Sequence, residues 1–163
     1  MPSYLHRITA IVFWLFIGLA LISCDSGPEK TAGQVEQITV LNDENIKQFT
    51  QAIANDYVST QKDLLDAFYS YQKSGESYGF VKFRNHTWTP AFIKKKTHYQ
   101  TVYKENSDFI SKNSIKPLFL SFENLIYIGI GLKNGLLDND DEKIKAALAE
   151  AAADKKVVLS LAK

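Results

Sequence analysis

One cysteine, one methionine and four prolines occur among the 163 residues, and the formal net charge is only +1. A lone thiol closes no internal disulfide, so no disulfide framework holds this chain together. A charge so near zero provides no overall field to attract nucleic acid. No apolar run reaches the roughly 20 residues that a comfortable membrane span needs; residues 8–22 make up a run of 15. A Gly-x-Ser-x-Gly nucleophile turn is missing. Gly129-Ile130-Gly131 lies in an apolar stretch without the Lys and Ser/Thr of a phosphate loop, and reads instead as close helix packing. What remains is 45% hydrophobic and 12% aromatic. That composition supports an ordinary core and excludes wholesale disorder, at a length suited to one domain.

The N-terminus differs from the rest. Arg7 supplies a fixed positive charge, residues 8–22 are apolar, and the small Ser23 precedes Cys24. This order is that of a secretory signal. Leu21-Ile22-Ser23-Cys24 resembles the lipobox of bacterial lipoproteins. The resemblance covers about 24 residues and all four box positions. It implies that residues 1–23 are cleaved as a signal peptide and that Cys24 becomes the acylated first residue of the mature protein. The partner so implied is the bilayer itself, held through the acyl chains of Cys24. Two or three such chains hold a domain firmly, where one holds it marginally. The single cysteine sits at the one place where acylation would consume it. Localisation is then the cell envelope, facing the periplasm, and Asp25 points to the inner rather than the outer membrane by analogy with enteric lipoproteins.

Residues 24–41 read as the lipidated cysteine and a flexible tether, because DSGPEKTAG is small, polar and broken by Gly and Pro. Residues 42–163 read as an all-α domain, an antiparallel bundle of about four helices. The first runs from Asn42 or Asp43 to Ser74-Gly75, with Ile46, Phe49, Ile53, Tyr57, Leu64, Leu65, Phe68 and Tyr71 on one stripe. Its length, about 30 residues or roughly 45 Å, leaves room for a break at Ser59-Thr60. Residues 76–89 are the least regular. There Gly79 and the β-prone Phe80-Val81-Lys82-Phe83 point to a loop or short strand pair. Thr89-Pro90 reads as the start of a second helix, ending near Asn113. A third helix opens at Ser114 and Pro117, is apolar on nearly all sides from Leu118 to Leu132, and stops at Asn134-Gly135. Such a helix belongs at the centre of a bundle. The fourth begins at Asp138.

Charge is segregated along this plan. Residues 25–76 hold four lysines against nine acidic residues, −5, whereas residues 77–116 hold seven lysines and an arginine against two acidic residues, +6. Complementary packing of the first two helices explains this simply. The alternative is a basic, aromatic binding patch of Arg84, Trp88, Lys94, Lys95 and Lys96. The many aromatics around it, Tyr69 to Tyr103, either fill the core or serve such a surface.

The chemistry expected is sparse. Asp138 to Glu142 has the oxygens of a calcium loop, but the sixth position is Lys143 and the twelfth Ala149, where that loop needs Gly and Glu. It reads as a helix cap, and no metal or other cofactor is expected. His86 and His98 are the histidines of the mature chain, with no thiol beside them to complete a zinc site. The first functional expectation is therefore a non-enzymatic, membrane-tethered module that binds an envelope protein: an immunity-type inhibitor, a secretion or assembly accessory, or a structural lipoprotein. The second is a carrier of a lipid or other apolar ligand between the helices, which a pocket beside the third helix would favour. The third is a hydrolase using His86 or His98.

Overall fold

The computed structural model describes residues 39–163; the expected signal peptide, the lipobox and most of the tether lie outside them. The described residues form helices and short links, with no strand among them. Helix α1 spans Ile46–Ser74, α2 Ser77–Phe83, α3 Thr89–Glu105, α4 Ser107–Lys112, α5 Lys116–Asp138 and α6 Asp141–Leu161. A π-helical turn, Arg84–Trp88, joins α2 to α3 without interrupting the rod.

The stripe read for α1 is the one that packs. Phe49, Ile53, Tyr57, Leu64 and Phe68 are buried, because steps of three, four and seven residues return to one face. The helix is continuous through Ser59 and Thr60. It ends where Gly75 takes a left-handed φ of 74° and donates to the carbonyls of Gln72 and Tyr71; that conformation suits a residue without Cβ.

The strand pair or loop expected over residues 76–89 is replaced by helix. Phe80, Arg84, Trp88 and Phe92 are all buried, a four-residue repeat that keeps one side of a helix against the core. Burial of those side chains outweighs the β preference of Phe80-Val81-Lys82-Phe83. Gly79 makes no turn; Tyr71 covers it so closely that an added Cβ would lie 2.5 Å from the Tyr71 ring. Thr89-Pro90 does open α3, with Pro90 in its first turn, but the helix continues there from the π turn rather than from a loop. Pro90 cannot donate to the carbonyl four residues back, and its ring crowds that position. The wide turn just before it accommodates this, with the Thr89 N–H bonded to the Arg84 carbonyl in the five-residue step of a π turn.

The second helix ends earlier than its pattern suggested, at Asn106. That buried side chain accepts from the Leu41 N–H at 2.7 Å and donates to the carbonyls of Thr39 and Val102. Residues 39–41, assigned to the tether by composition, are thus pinned to the helical body, with Leu41 buried.

Helix α5 buries Leu118, Phe122, Leu125, Ile128 and Leu132 almost completely, yet Leu120 and Tyr127 stand exposed. It is central on one side only. The stop expected at Asn134-Gly135 comes later, at Asn139, whose φ of 52° is left-handed. Gly135 serves a different purpose: a Cβ there would meet the Ile144 side chain at 2.5 Å and its backbone nitrogen at 3.1 Å. The missing side chain lets α6 begin hard against α5. Asp138 accordingly closes α5, and Asp140 caps α6 by accepting from the Lys143 N–H at 3.0 Å. The acidic run is a helix cap, and no group of metal-ligating side chains occurs among the described residues.

Candidate functional site

The contacts of α3 with α5 pair Tyr99 with Phe122 and Tyr103 with Phe119, and Gln100 with Glu123. Rising numbers on one helix meet falling numbers on the other, so the two run antiparallel. Between them lies a groove of about 410 Å³. Tyr99, Phe119 and Phe122 line its floor, Tyr103 and Leu120 its walls. Lys96 lies one turn before Tyr99 on α3, and Lys116 one turn before Phe119 and Leu120 on α5. The antiparallel register therefore sets these two lysines at opposite ends. Gln100 donates to Glu123 at 2.8 Å across the rim.

The floor is held from behind. Tyr99 donates its hydroxyl to Asp56 at 2.7 Å, so its ring, not its polar tip, faces the groove. Lys95 reaches the other oxygen of Asp56 at 2.7 Å. Burial alone would raise the pKa of Asp56, but the hydrogen bonds from Lys95 and Tyr99, with the charges of Lys95 and His98, bring it below the usual aspartate value. The same burial, and the carboxylate acceptor, push the Tyr99 hydroxyl well above its ordinary value, so it stays protonated. His98 meets the edge of the Tyr99 ring at 5.2 Å.

The five residues read as one basic patch do not share a surface. Trp88 is buried: its indole N–H donates to the Thr60 carbonyl at 2.9 Å and its ring stacks on Phe92 at 5.0 Å. Arg84 is buried too, lying against Gly129, where a Cβ would come within 3.3 Å of Nε. One guanidinium nitrogen reaches Asn85 at 2.8 Å, while Nε has no hydrogen-bond partner. Burial pulls its pKa down from the usual value. Lys94 is exposed, Lys95 is committed to Asp56, and Lys96 lines the groove. Successive residues on a helix point about 100° apart, so three adjacent lysines cannot all face one way. Among the aromatics, Phe80, Phe92 and Tyr99 join Trp88 in the core, while Tyr69 and Tyr78 are exposed.

Two other grooves, of about 470 Å³ and 340 Å³, lie on the described surface. One, between α5 and α6, is lined by Leu120, Tyr127, Val157 and Asp154; Asn124 bridges its floor by donating to Glu150 and Asp154. The other lies over Asp63, Phe83 and Trp88. His86 is exposed on the π turn, and neither it nor His98 lines any of the three.

Sequence reasoning singled out Lys96 but missed its partners in the groove. Tyr99 and Tyr103 stood among the aromatics, and Phe119, Leu120 and Phe122 within an apolar run; only the register of α3 against α5 brings them together. Cys24, Leu21, Ile22 and Ser23 lie outside the described residues, and no helix among those described is long and apolar enough to cross a membrane. No family model, no curated protein and no solved structure matches the chain.

Proposed function

We propose that this chain is a lipid-anchored protein of the bacterial envelope that works by holding a small, largely apolar ligand in the α3–α5 groove. Its working domain is a four-helix antiparallel bundle formed by α1, the α2–α3 rod, α5 and α6. The observation that carries the binding half is the groove itself. It lies beside the third long helix, its floor is built of rings, and its 410 Å³ falls within the range of small-molecule sites. The anchor rests on Leu21-Ile22-Ser23-Cys24 and on Cys24 being the only cysteine. A tether of this kind would keep the domain at a bilayer, where apolar molecules are concentrated.

Two measurements test the two halves. Metabolic labelling with a fatty-acid analogue should mark the chain and should be lost in Cys24→Ala; undiminished label in that variant overturns the anchor. Native mass spectrometry of the protein purified from its own envelope should show a bound small molecule, released when Leu120→Lys places a charge on the half-exposed groove wall. A mass equal to the polypeptide and its acyl chains alone speaks against carriage.

A second reading is the protein-binding accessory, favoured by one observation. Leu120 is 52% and Tyr127 66% exposed along the outer ridge of α5, and Val157 beside them is exposed as well. Exposed aromatic and aliphatic side chains clustered on a ridge are what protein interfaces use. Affinity capture with Tyr127→Ala as control separates this reading from ligand carriage, which leaves Tyr127 idle.

A further inference from the structure

We infer that the ligand of the α3–α5 groove is an elongated apolar acid, its carboxylate held at the Lys116 end and its apolar body lying along Phe119, Tyr103 and Tyr99. The inference rests on the groove being a ligand site and adds the chemistry of the ligand and its direction.

Shape comes first. The lining runs from Lys96 to Tyr103 on α3 and from Lys116 to Glu123 on α5, seven residues or about 10 Å along each of two antiparallel helices, so its rings form a row. Tyr99 turns its hydroxyl away to Asp56, and Phe119 and Phe122 offer only carbon. An occupant must therefore be apolar over most of its length to repay the removal of this surface from water. Charge comes second. Of the lining residues two are cationic, Lys96 and Lys116, and one is anionic, Glu123. The lysines ion-paired to described carboxylates are Lys62, Lys95, Lys143 and Lys145; Lys96 and Lys116 are not among them. A cationic ligand would face two like charges, whereas an anionic one finds a counter-ion at either end.

The ends are not equivalent. Glu123 bonds Gln100, one turn beyond Lys96 on α3, so the Lys96 end already has a carboxylate close by. Lys116 is seven residues from Glu123, about 10 Å along α5, and no acidic residue lines its end of the groove. Lys116 is also the first residue of α5, where the helix dipole adds partial positive charge. The carboxylate belongs there.

The photoreactive acid 4-benzoylbenzoate, a rigid diaryl carboxylate, suits this site, and benzophenone is its neutral counterpart. The full chain is irradiated with each over a range of concentrations, and the labelled residues are mapped by peptide mass spectrometry. The expected result is saturable labelling by the acid on α3 and α5, among Tyr99, Tyr103, Phe119 and Leu120. Half-saturation should weaken about three- to fivefold in Lys116→Gln, the scale of one partly exposed charge contact, and less in Lys96→Gln. It should weaken with added salt in the native chain. Circular dichroism of both variants should be unchanged, since both side chains lie at the surface. Equal saturable labelling of the groove by benzophenone, with neither lysine mattering, overturns the acid and leaves the groove as a neutral ligand site. A loss confined to Lys96→Gln overturns the direction. Labelling that never saturates, or that falls outside α3 and α5, overturns the inference and the ligand reading together.

Discussion

Helix α5 is packed differently on its two flanks. Toward α6 it presents small residues: a Cβ at Gly131 would meet that of Ala147 at 3.0 Å, and one at Gly135 would strike the Ile144 side chain at 2.5 Å. Ala147 and Ala151 are buried on the facing side. Toward α3 it presents rings, with Tyr103 and Phe119 centred 5.3 Å apart and Tyr99 and Phe122 4.9 Å apart. Small side chains let the two helix backbones approach closely around Gly131 and Gly135, and the groove on this flank opens only nearer the start of α5. Toward α3, rings prop the helices apart, and where the ring row meets the surface a trough stays open. The C-terminal half of α5 is thus a close seam against α6, while its N-terminal half meets α3 through rings that leave a trough between them.

The largest expected effect sharpens the centre from which both flanks diverge. Leu125 is fully buried, and Leu125→Ala should cost about 2–5 kcal/mol of unfolding free energy by urea titration. A loss under about half a kcal/mol would mean that α5 is not the core helix. Next is the seam. Gly135→Ala should cost about 1–3 kcal/mol, because the branched Ile144 side chain must move and the α6 backbone behind it must give as well; a neutral result would show that α6 can slide away freely and that the seam is not tight.

The support behind the ring row comes third. Asp56→Ala removes the acceptor of the buried Tyr99 hydroxyl and should cost about 1 kcal/mol at neutral pH. Because the folded state holds the Asp56 pKa below its unfolded value, this stabilisation is complete above the ordinary aspartate value of about 3.9 and fades as pH falls through the lowered one. Urea midpoints at neutral pH and near pH 3 should therefore differ less between native and variant at the acid end. A constant gap would assign the loss to packing alone. The smallest effect belongs to the open flank: Leu120→Ala, half exposed on the groove wall, should stay within about half a kcal/mol. A cost as large as that of Gly135→Ala would erase the distinction between the flanks.

Most of the helical plan was readable because it depends on local periodicity. The α1 stripe, the Gly75 stop and the acidic cap of α6 are each decided within a few residues of chain. Errors arose where a residue type has two uses. Gly135 beside Asn134 looks like a helix stop, but it is a contact point for α6, a partner lying outside any local window. Pro90 after Thr89 does open α3, but what precedes it is a π turn and not the expected loop. Arg84 and Trp88 suggested a surface, and their four-residue spacing with Phe80 and Phe92 was the available sign that they point inward. The groove could not be read at all, since it depends on which residues of α3 fall opposite which residues of α5.

The π turn at Arg84–Trp88 has a consequence for how the gene can change. In an ordinary α-helix, four residues overshoot a full turn by about 40°, so a side chain placed every fourth residue from Phe80 to Phe92 would wander off the core within three steps. The wider turn absorbs that drift and keeps the four side chains in phase. It acts as a spare tooth in a gear. Removing one codon for an exposed residue within it, such as Asn85, would let the wide turn close into an ordinary α turn, and the segments on either side would keep nearly the same mesh. Loss of a single residue here would therefore do less harm than the same loss elsewhere in the rod, where it would turn one side by about 100° against the other.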